Sequence, residues 1–361
     1  MNILELNLLL ILIYAFIFLF IIRTRLSKLL FIIVTTLQLI IINGLRHMSV
    51  GVDTVRYFKR FMEIVNGEVE LFTKESGYNI AQIIINIFSD NFNVWLTIAA
   101  SFIFVPLAIF IYKNSSRVFV SYILYLGLDF YLFTFNGLRQ SIAIIIVLLS
   151  YNYIINKKFL KFLLIILVAT SFHTSAIIFV PMYFLAHIKW SKIYMFMLGF
   201  IVILFYIFRF QIGKLLTILY YDDATWALDR YEISGGIGGT AIMIFIIILL
   251  GIAIYNPNKY FDKENIVLSN IMIISFIIQM LSSFSYLFTR LNMFYLVFII
   301  LYIPYLFEKI GKGTIKLRPK EATAIESFGK LFLIILLVIH YYNNTLIDGF
   351  EILPYNFFWQ L

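Results

Sequence analysis

The side chains able to do chemistry in this chain gather in four short polar stretches. The first is RHMSVGVDTVRY, from Arg46 to Tyr57, which places Arg46, His47, Asp53, Arg56 and Tyr57 close together; Glu75, Ser76, Gly77 and Tyr78 follow it. The second is Asn136-Gly137-Leu138-Arg139-Gln140-Ser141. The third is Ser171-Phe172-His173-Thr174-Ser175, set inside an otherwise apolar run. The fourth runs from Phe284-Ser285-Tyr286 to Thr289-Arg290-Leu291-Asn292.

Arginine and histidine set the chemistry. A guanidinium presents a planar fork of donors that fits phosphate oxygens. Arg139 opens an apolar helix, where free N–H groups and the macrodipole already favour an anion. Arg46, Arg139 and Arg290 come from three separate turns, so together they can form a cationic pocket for an anion such as a lipid-borne diphosphate. His173 has the side chain whose ordinary pKa, ~6.5, suits proton transfer near neutrality. Each residue also has a plain alternative: Asp53 pairing with Arg46 or Arg56 in a solvated loop, the arginines snorkelling to headgroups, and His173 packing in a helix. Among the four histidines, His47, His173, His187 and His340, no spacing suggests a metal site. The Asp222-Asp223 pair reads as a solvated acidic loop, and Gly235-Gly236-Ile237-Gly238-Gly239 as a hinge without nucleotide-binding spacing.

The rest of the chain is what must hold these residues. It is 62% hydrophobic and only 13% charged, against ~25% charged in a soluble domain. That balance excludes a cytosolic enzyme, a nucleic-acid module and a disordered chain, and predicts an all-α polytopic membrane protein. With no cysteine, disulfides and thiolate chemistry are excluded as well. A span needs ~20 apolar residues. Runs of that kind occur at 3–22, 29–45, 92–112, 118–135, 141–155, 159–186, 193–208, 237–255, 266–284, 291–307 and 328–342. The 159–186 run is broken by the His173 stretch and reads as two half-helices, down and back. Counting it twice gives about 12 crossings of a single transmembrane domain over 1–361, with a first outer loop at 46–90 carrying short helices and a second at 211–236.

Arg23, Arg25 and Lys28 follow the first run, which therefore reads as an anchor with its N-terminus outside. On that topology Lys and Arg gather on the inner side, with the largest cluster at 309–330. Asp and Glu predominate outside, both termini are outside, and all four polar stretches share the outer side. The net charge of +9 then reflects topology and anionic lipid contact rather than nucleic acid.

These stretches, in this order, resemble the EpsG-type family of bacterial exopolysaccharide and capsular polysaccharide polymerases, relatives of the Wzy polymerases. The resemblance rests on Arg46…Val50-Gly51-Val52-Asp53-Thr54-Val55-Arg56-Tyr57, Glu75-Ser76-Gly77-Tyr78, Asn136-Gly137-Leu138-Arg139-Gln140-Ser141-Ile142-Ala143, Phe172-His173-Thr174-Ser175-Ala176 and Arg290-Leu291-Asn292-Met293-Phe294-Tyr295. It implies a glycosyltransferase of the bacterial cytoplasmic membrane. Such an enzyme joins oligosaccharide repeat units carried on undecaprenyl diphosphate at the outer face, with no nucleotide sugar, metal or other cofactor. Flippase and chain-length regulator proteins are the implied protein partners, beside membrane lipids. On this reading Arg139 and Arg290, with Arg46 beside them, clamp the leaving diphosphate. His173 or Asp53 is the base, and Tyr57, Tyr78 and Gln140, together with Arg56, contact the substrate. The rival readings are a lipid-linked oligosaccharide flippase or transporter, a membrane O-acyltransferase using His173, and a non-catalytic assembly scaffold.

Overall fold

The structure, a computed structural model, describes residues 1–68, 75–220, 238–254, 263–312 and 319–360. The Asp222-Asp223 pair, most of the Gly235–Gly239 stretch and the middle of the 309–330 basic cluster lie outside these residues. Among the described residues there is no strand; the only β-type pairing is an isolated bridge between Arg46 and Phe357. Among the described residues, six helices are long and apolar enough to cross a membrane, or up to eight if each of two bent pairs is one span. The protein is therefore an all-helical, multi-pass membrane protein.

The chain forms two compact units. The first comprises Met1–Leu149, Leu164–Ile177 and Ala324–Leu361; the second comprises Ser150–Leu163 and Ile178–Thr323.

In the first unit, α1 (Ile3–Ala15) runs through a π-helical turn to Ile22, and α2 (Arg25–Gly44) packs along α5 (Phe92–Asn114). The two approach so closely that a Cβ on Gly44 would sit 2.6 Å from the Thr97 Cα. Small residues at a helix contact do this in membranes, where dispersion rather than water drives association. Buried cross-links add to it: Thr36 with the Tyr122 hydroxyl at 2.9 Å, and Asn43 Nδ2 donating to Thr134 Oγ1 at 2.8 Å. In membranes such bonds average ~0.6 kcal/mol each, so they fix register more than they hold the unit together.

Two short helices lie between α2 and α5. On α3 (Thr54–Val65), Thr54, Tyr57, Phe61 and Ile64 are buried at three- and four-residue spacing, which leaves Arg56, Lys59, Arg60 and Glu63 on the other face. On α4 (Ser76–Asn86) the pattern is inverted. Tyr78, Asn79 and Gln82 are buried while Ile80 and Ile84 are exposed, as suits a helix lying against lipid. The run 118–135 is not one straight helix. It divides into α6 (Val118–Gly127) and α7 (Phe130–Phe133) at Asp129, whose φ of +63° is tolerated because Asp visits the left-handed region. Asn344 Nδ2 donates to both oxygens of that carboxylate at 2.7 Å. After α8 (Leu138–Leu149) and α9 (Tyr151–Ile155), α10 (Phe159–Phe172) ends at His173, and a 3₁₀ helix, Thr174–Phe179, follows. The polar break expected there is present.

In the second unit the chain continues through α11 (Met182–Leu185), α12 (Lys192–Ile207), α13 (Arg209–Tyr220), α14 (Gly238–Ile254), α15 (Lys263–Leu281), α16 (Tyr286–Leu296) and α17 (Ile299–Gly311). The start of the expected 211–236 loop is helical: α12 and α13 form a pair bent by 77°. The run 291–307 likewise crosses a 51° bend between α16 and α17. Ser275 donates to Asn292 Oδ1 at 2.7 Å, and Asn292 Nδ2 to Gln279 Oε1 at 2.6 Å, which ties α15 to α16. The last helix, α18 (Pro319–Ile347), returns to the first unit. There Tyr341 meets Asn7 and the Leu4 carbonyl, so both ends of the chain lie at the same end of this unit.

A candidate anion and acid-base site at one end of the first unit

Gly77 is where the site begins. A Cβ on it would overlap Ser171 Oγ and lie 3.0 Å from the Ser171 carbonyl oxygen. Only glycine lets the start of α4 come this close to the end of α10. That approach sets Glu75 beside His173, 98 positions later in sequence.

Glu75 then bridges two partners. Its Oε1 is 2.6 Å from His173 Nδ1, and its Oε2 accepts from Arg139 Nη1. The Glu75 side chain is only 14% exposed. Burial alone would raise its pKa, but the hydrogen bond from His173, the Arg139 charge and the Thr174 backbone N–H outweigh it and hold the carboxyl below its ordinary value. Glu75 is therefore a carboxylate at neutral pH. With Nδ1 taken by that carboxylate, Nε2 is the imidazole nitrogen left to face another group. This is the orientation a histidine needs to act as a base.

Arg139 sits in the first turn of α8, with its guanidinium carbon 5.7 Å from the centre of the Tyr78 ring. Its side chain is 40% exposed and lines a cavity of about 450 Å³ together with Arg56, Tyr57, Arg60, Glu75, Tyr78, Asn79 and Thr174. The cavity thus carries three guanidinium groups and one carboxylate. Two further acids stand behind it: Asp53 pairs with Arg56 at 3.3 Å and Glu63 with Arg60 at 2.8 Å.

The turn that carries Arg139 is held from below. Tyr57 donates its hydroxyl to the Asn136 carbonyl at 2.5 Å and accepts from the Leu138 N–H at 3.1 Å. Arg46 lies beneath it, fully buried. Its Nη1 donates to the Asn43 carbonyl at 2.5 Å and to Asn43 Oδ1 at 3.0 Å, and its Nη2 to the Phe135 carbonyl at 3.3 Å. The Phe135 ring centre lies 5.1 Å from the guanidinium carbon. Burial pulls the Arg46 pKa down to about 10, partly offset by nearby tyrosines. The C-terminal segment closes this niche. Tyr355 donates to the Ile42 carbonyl at 2.7 Å, His47 N–H to the Asn356 carbonyl at 2.9 Å, and Phe358 N–H to the Leu45 carbonyl at 3.0 Å.

The residues singled out from sequence are therefore placed as follows. Arg56, Tyr57, Tyr78 and Arg139 share the cavity wall, and His173 joins it through Glu75. Tyr57 and Tyr78 contribute buried rings, and the Tyr57 hydroxyl is engaged by the turn. Asp53 faces Arg56, the pairing expected of a solvated loop. Arg46 is in the niche rather than on the cavity, and Gln140 is buried on α8. Arg290 belongs to the second unit, on α16. The sequence reading assigned no role to Glu75, Arg60 or Asn79. Glu75 had a signal: a candidate catalytic histidine calls for an orienting carboxylate, and Glu75 lies in one of the polar stretches.

Fold and site define a multi-pass, all-helical membrane protein with an arginine-lined cavity and a carboxylate-held histidine. The sequence profile of the EpsG family matches residues 28–357. The chain belongs to that family, a Wzy-like polymerase family. No curated protein and no solved structure matches it.

Proposed function

We propose that this protein is a polysaccharide polymerase that joins lipid-linked oligosaccharide repeat units at the Glu75 cavity. The observation that carries the reading is the Glu75 carboxylate gripping both Arg139 and His173 at the wall of a cavity that also holds Arg56 and Arg60. Family membership supports a polymerase in general; the charge pattern supports a diphosphate-bearing substrate.

In this reading Arg139, assisted by Arg56 and Arg60, binds the undecaprenyl diphosphate of the growing chain. An acceptor sugar hydroxyl on a second lipid-linked unit attacks the anomeric carbon. The new C–O bond forms as the bond to the diphosphate oxygen breaks, and the hydroxyl proton passes to His173 Nε2. The diphosphate leaves with the bonding electron pair, so it needs fixed positive charge more than a proton. Glu75 is a positioning residue: it holds the imidazole and fixes which nitrogen carries hydrogen. A cavity of about 450 Å³ lies within the usual range for small-ligand sites. The cavity faces outward, with both termini outside and about 12 crossings, as the inner bias of Lys and Arg favours.

The test is a product ladder. Purified protein incubated with a lipid-linked repeat unit is expected to give polymers, and Arg139→Ala is expected to give none while inserting normally. Transfer of an acyl group, or movement of lipid without chain growth, contradicts the proposal.

A further inference from the structure

The far end of the first unit holds a second charged cavity, with a different charge balance. The α2 helix of 20 residues separates the two ends by about 30 Å. Arg46 follows its C-terminus. At its N-terminus a cavity of about 620 Å³ opens between the π-helical turn, the start of α2, the start of α6 and the middle of α18.

Four cations line it: Arg23, Lys28, Arg117 and Lys330. One buried carboxylate stands beside it. Glu326 accepts from Arg117 Nη2 at 2.6 Å and from Lys330 Nζ at 2.9 Å. Arg117 Nε is buried without a hydrogen-bond partner. Among the described residues neither Arg23 nor Lys28 meets a carboxylate; their charges lie instead over the rings of Phe20 and Tyr112. The remaining wall is mainly apolar, with Phe18, Phe119 and Ile334, and carries the hydroxyls of Thr24, Ser116 and Ser327. Phe20, Phe328 and Leu331 are exposed, at 56%, 71% and 57%. Phe20 and Leu331 line the cavity itself.

An excess of cations in a cavity with an apolar wall matches one kind of molecule: an amphiphile with an anionic phosphate head and hydrocarbon tails. Water-soluble phosphate gains nothing from the phenylalanines, and a neutral lipid gains nothing from the four cations. We propose that this cavity is a binding site for the headgroup of an anionic phospholipid, with its acyl chains running along the π-helical turn of α1 and the lower part of α18. Arg117 is held by Glu326 with Nε still to be satisfied, Lys330 is anchored by the same carboxylate, and Arg23 and Lys28 supply the uncompensated charge.

The experiment uses the full-length protein, purified and delipidated in mild detergent, then titrated with phosphatidylglycerol or phosphatidylcholine and read by native mass spectrometry. Wild-type protein is expected to retain phosphatidylglycerol selectively, and millimolar inorganic phosphate is expected not to displace it. Because Arg117 and Lys330 hold Glu326, the informative variant is Arg23→Gln with Lys28→Gln, which leaves those ion pairs intact. Each basic side chain facing an anionic lipid is worth about fivefold in affinity, so this double variant should bind about twenty-five-fold more weakly. Its polymerase activity in neutral detergent should be unchanged. Equal retention of phosphatidylcholine, displacement by inorganic phosphate, or undiminished binding by the double variant overturns the assignment.

Discussion

The niche around Arg46 and the cavity around Arg139 lie at the same end of the same unit, yet they use a guanidinium in opposite ways. Arg46 is enclosed on all sides and bonded to carbonyls, an amide and a hydroxyl. Its acceptors are all neutral, two backbone carbonyls and two side-chain oxygens, so it sets the relation between the end of α2 and the turn after Phe135. Arg139 is half open to a cavity and bonded to a carboxylate that a histidine shares. Its environment can change when an anion arrives. The kind of acceptor, rather than the presence of arginine, separates a fixed structural charge from one available for chemistry.

The largest effect that can break this comparison belongs to Glu75. Glu75→Gln keeps the shape but removes the charge that orients His173, and base catalysis is typically worth ~10²–10⁴-fold. Polymerisation per folded molecule should fall by that order, with insertion unchanged. A loss below about tenfold would leave the carboxylate as a mere tether.

Gly77→Ala tests how Glu75 is delivered. The new methyl group overlaps Ser171, so α4 or Ser171 must shift and Glu75 must lose its register with His173. Strong loss of turnover is expected, with lipid-substrate binding through Arg139 partly retained. Unchanged turnover shows that the contact yields without moving Glu75.

On the niche side, Arg46→Met takes the guanidinium donor from the Asn43 carbonyl and Asn43 Oδ1, and leaves the Phe135 carbonyl only the long bond from the Thr54 hydroxyl. Each buried acceptor left unpaired costs about 1–3 kcal/mol. The expected result is a lowered unfolding temperature in detergent, with KM for the lipid-linked unit nearly unchanged in the protein that remains folded. A raised KM at undiminished stability makes Arg46 part of the binding site instead.

A smaller effect is pH-dependent. The Glu75 carboxyl has a folded-state pKa below its ordinary 4.5. Its contribution to stability is therefore fully present above about pH 4.5 and is lost only as pH falls through the lowered value. Acid unfolding of the wild type should include this step, and Glu75→Gln should lack it. Identical acid profiles would show that the ion pairs add nothing to folding.

Much of the architecture is legible in composition, because hydrocarbon solvent demands long apolar helices with internally satisfied backbones. The break at His173 and the short helices after α2 are visible as interruptions in that pattern. The division at Asp129 is not, since its cause is a carboxylate held by Asn344 on a distant helix. The bend at 297–298 also falls inside a run that reads as one span, and the bend at 208 marks the end of a run after which the helix resumes where a loop was expected, with no proline at either joint. At the site, residue type pointed to Arg139 and His173, which the structure brings together on the Glu75 carboxylate. It did not separate Arg46 from Arg139, because both follow or open an apolar helix and only three-dimensional enclosure distinguishes them. Nor did it single out Glu75, whose role depends on the approach of Gly77 to Ser171.

The most direct measurement compares Arg46→Met and Glu75→Gln side by side, as polymer formed from a lipid-linked repeat unit per correctly folded molecule. Near wild-type ladders are expected from the folded fraction of Arg46→Met and none above the single unit from Glu75→Gln. Ladders from Glu75→Gln, with none from folded Arg46→Met, would move the chemistry from the open cavity to the enclosed niche and contradict it.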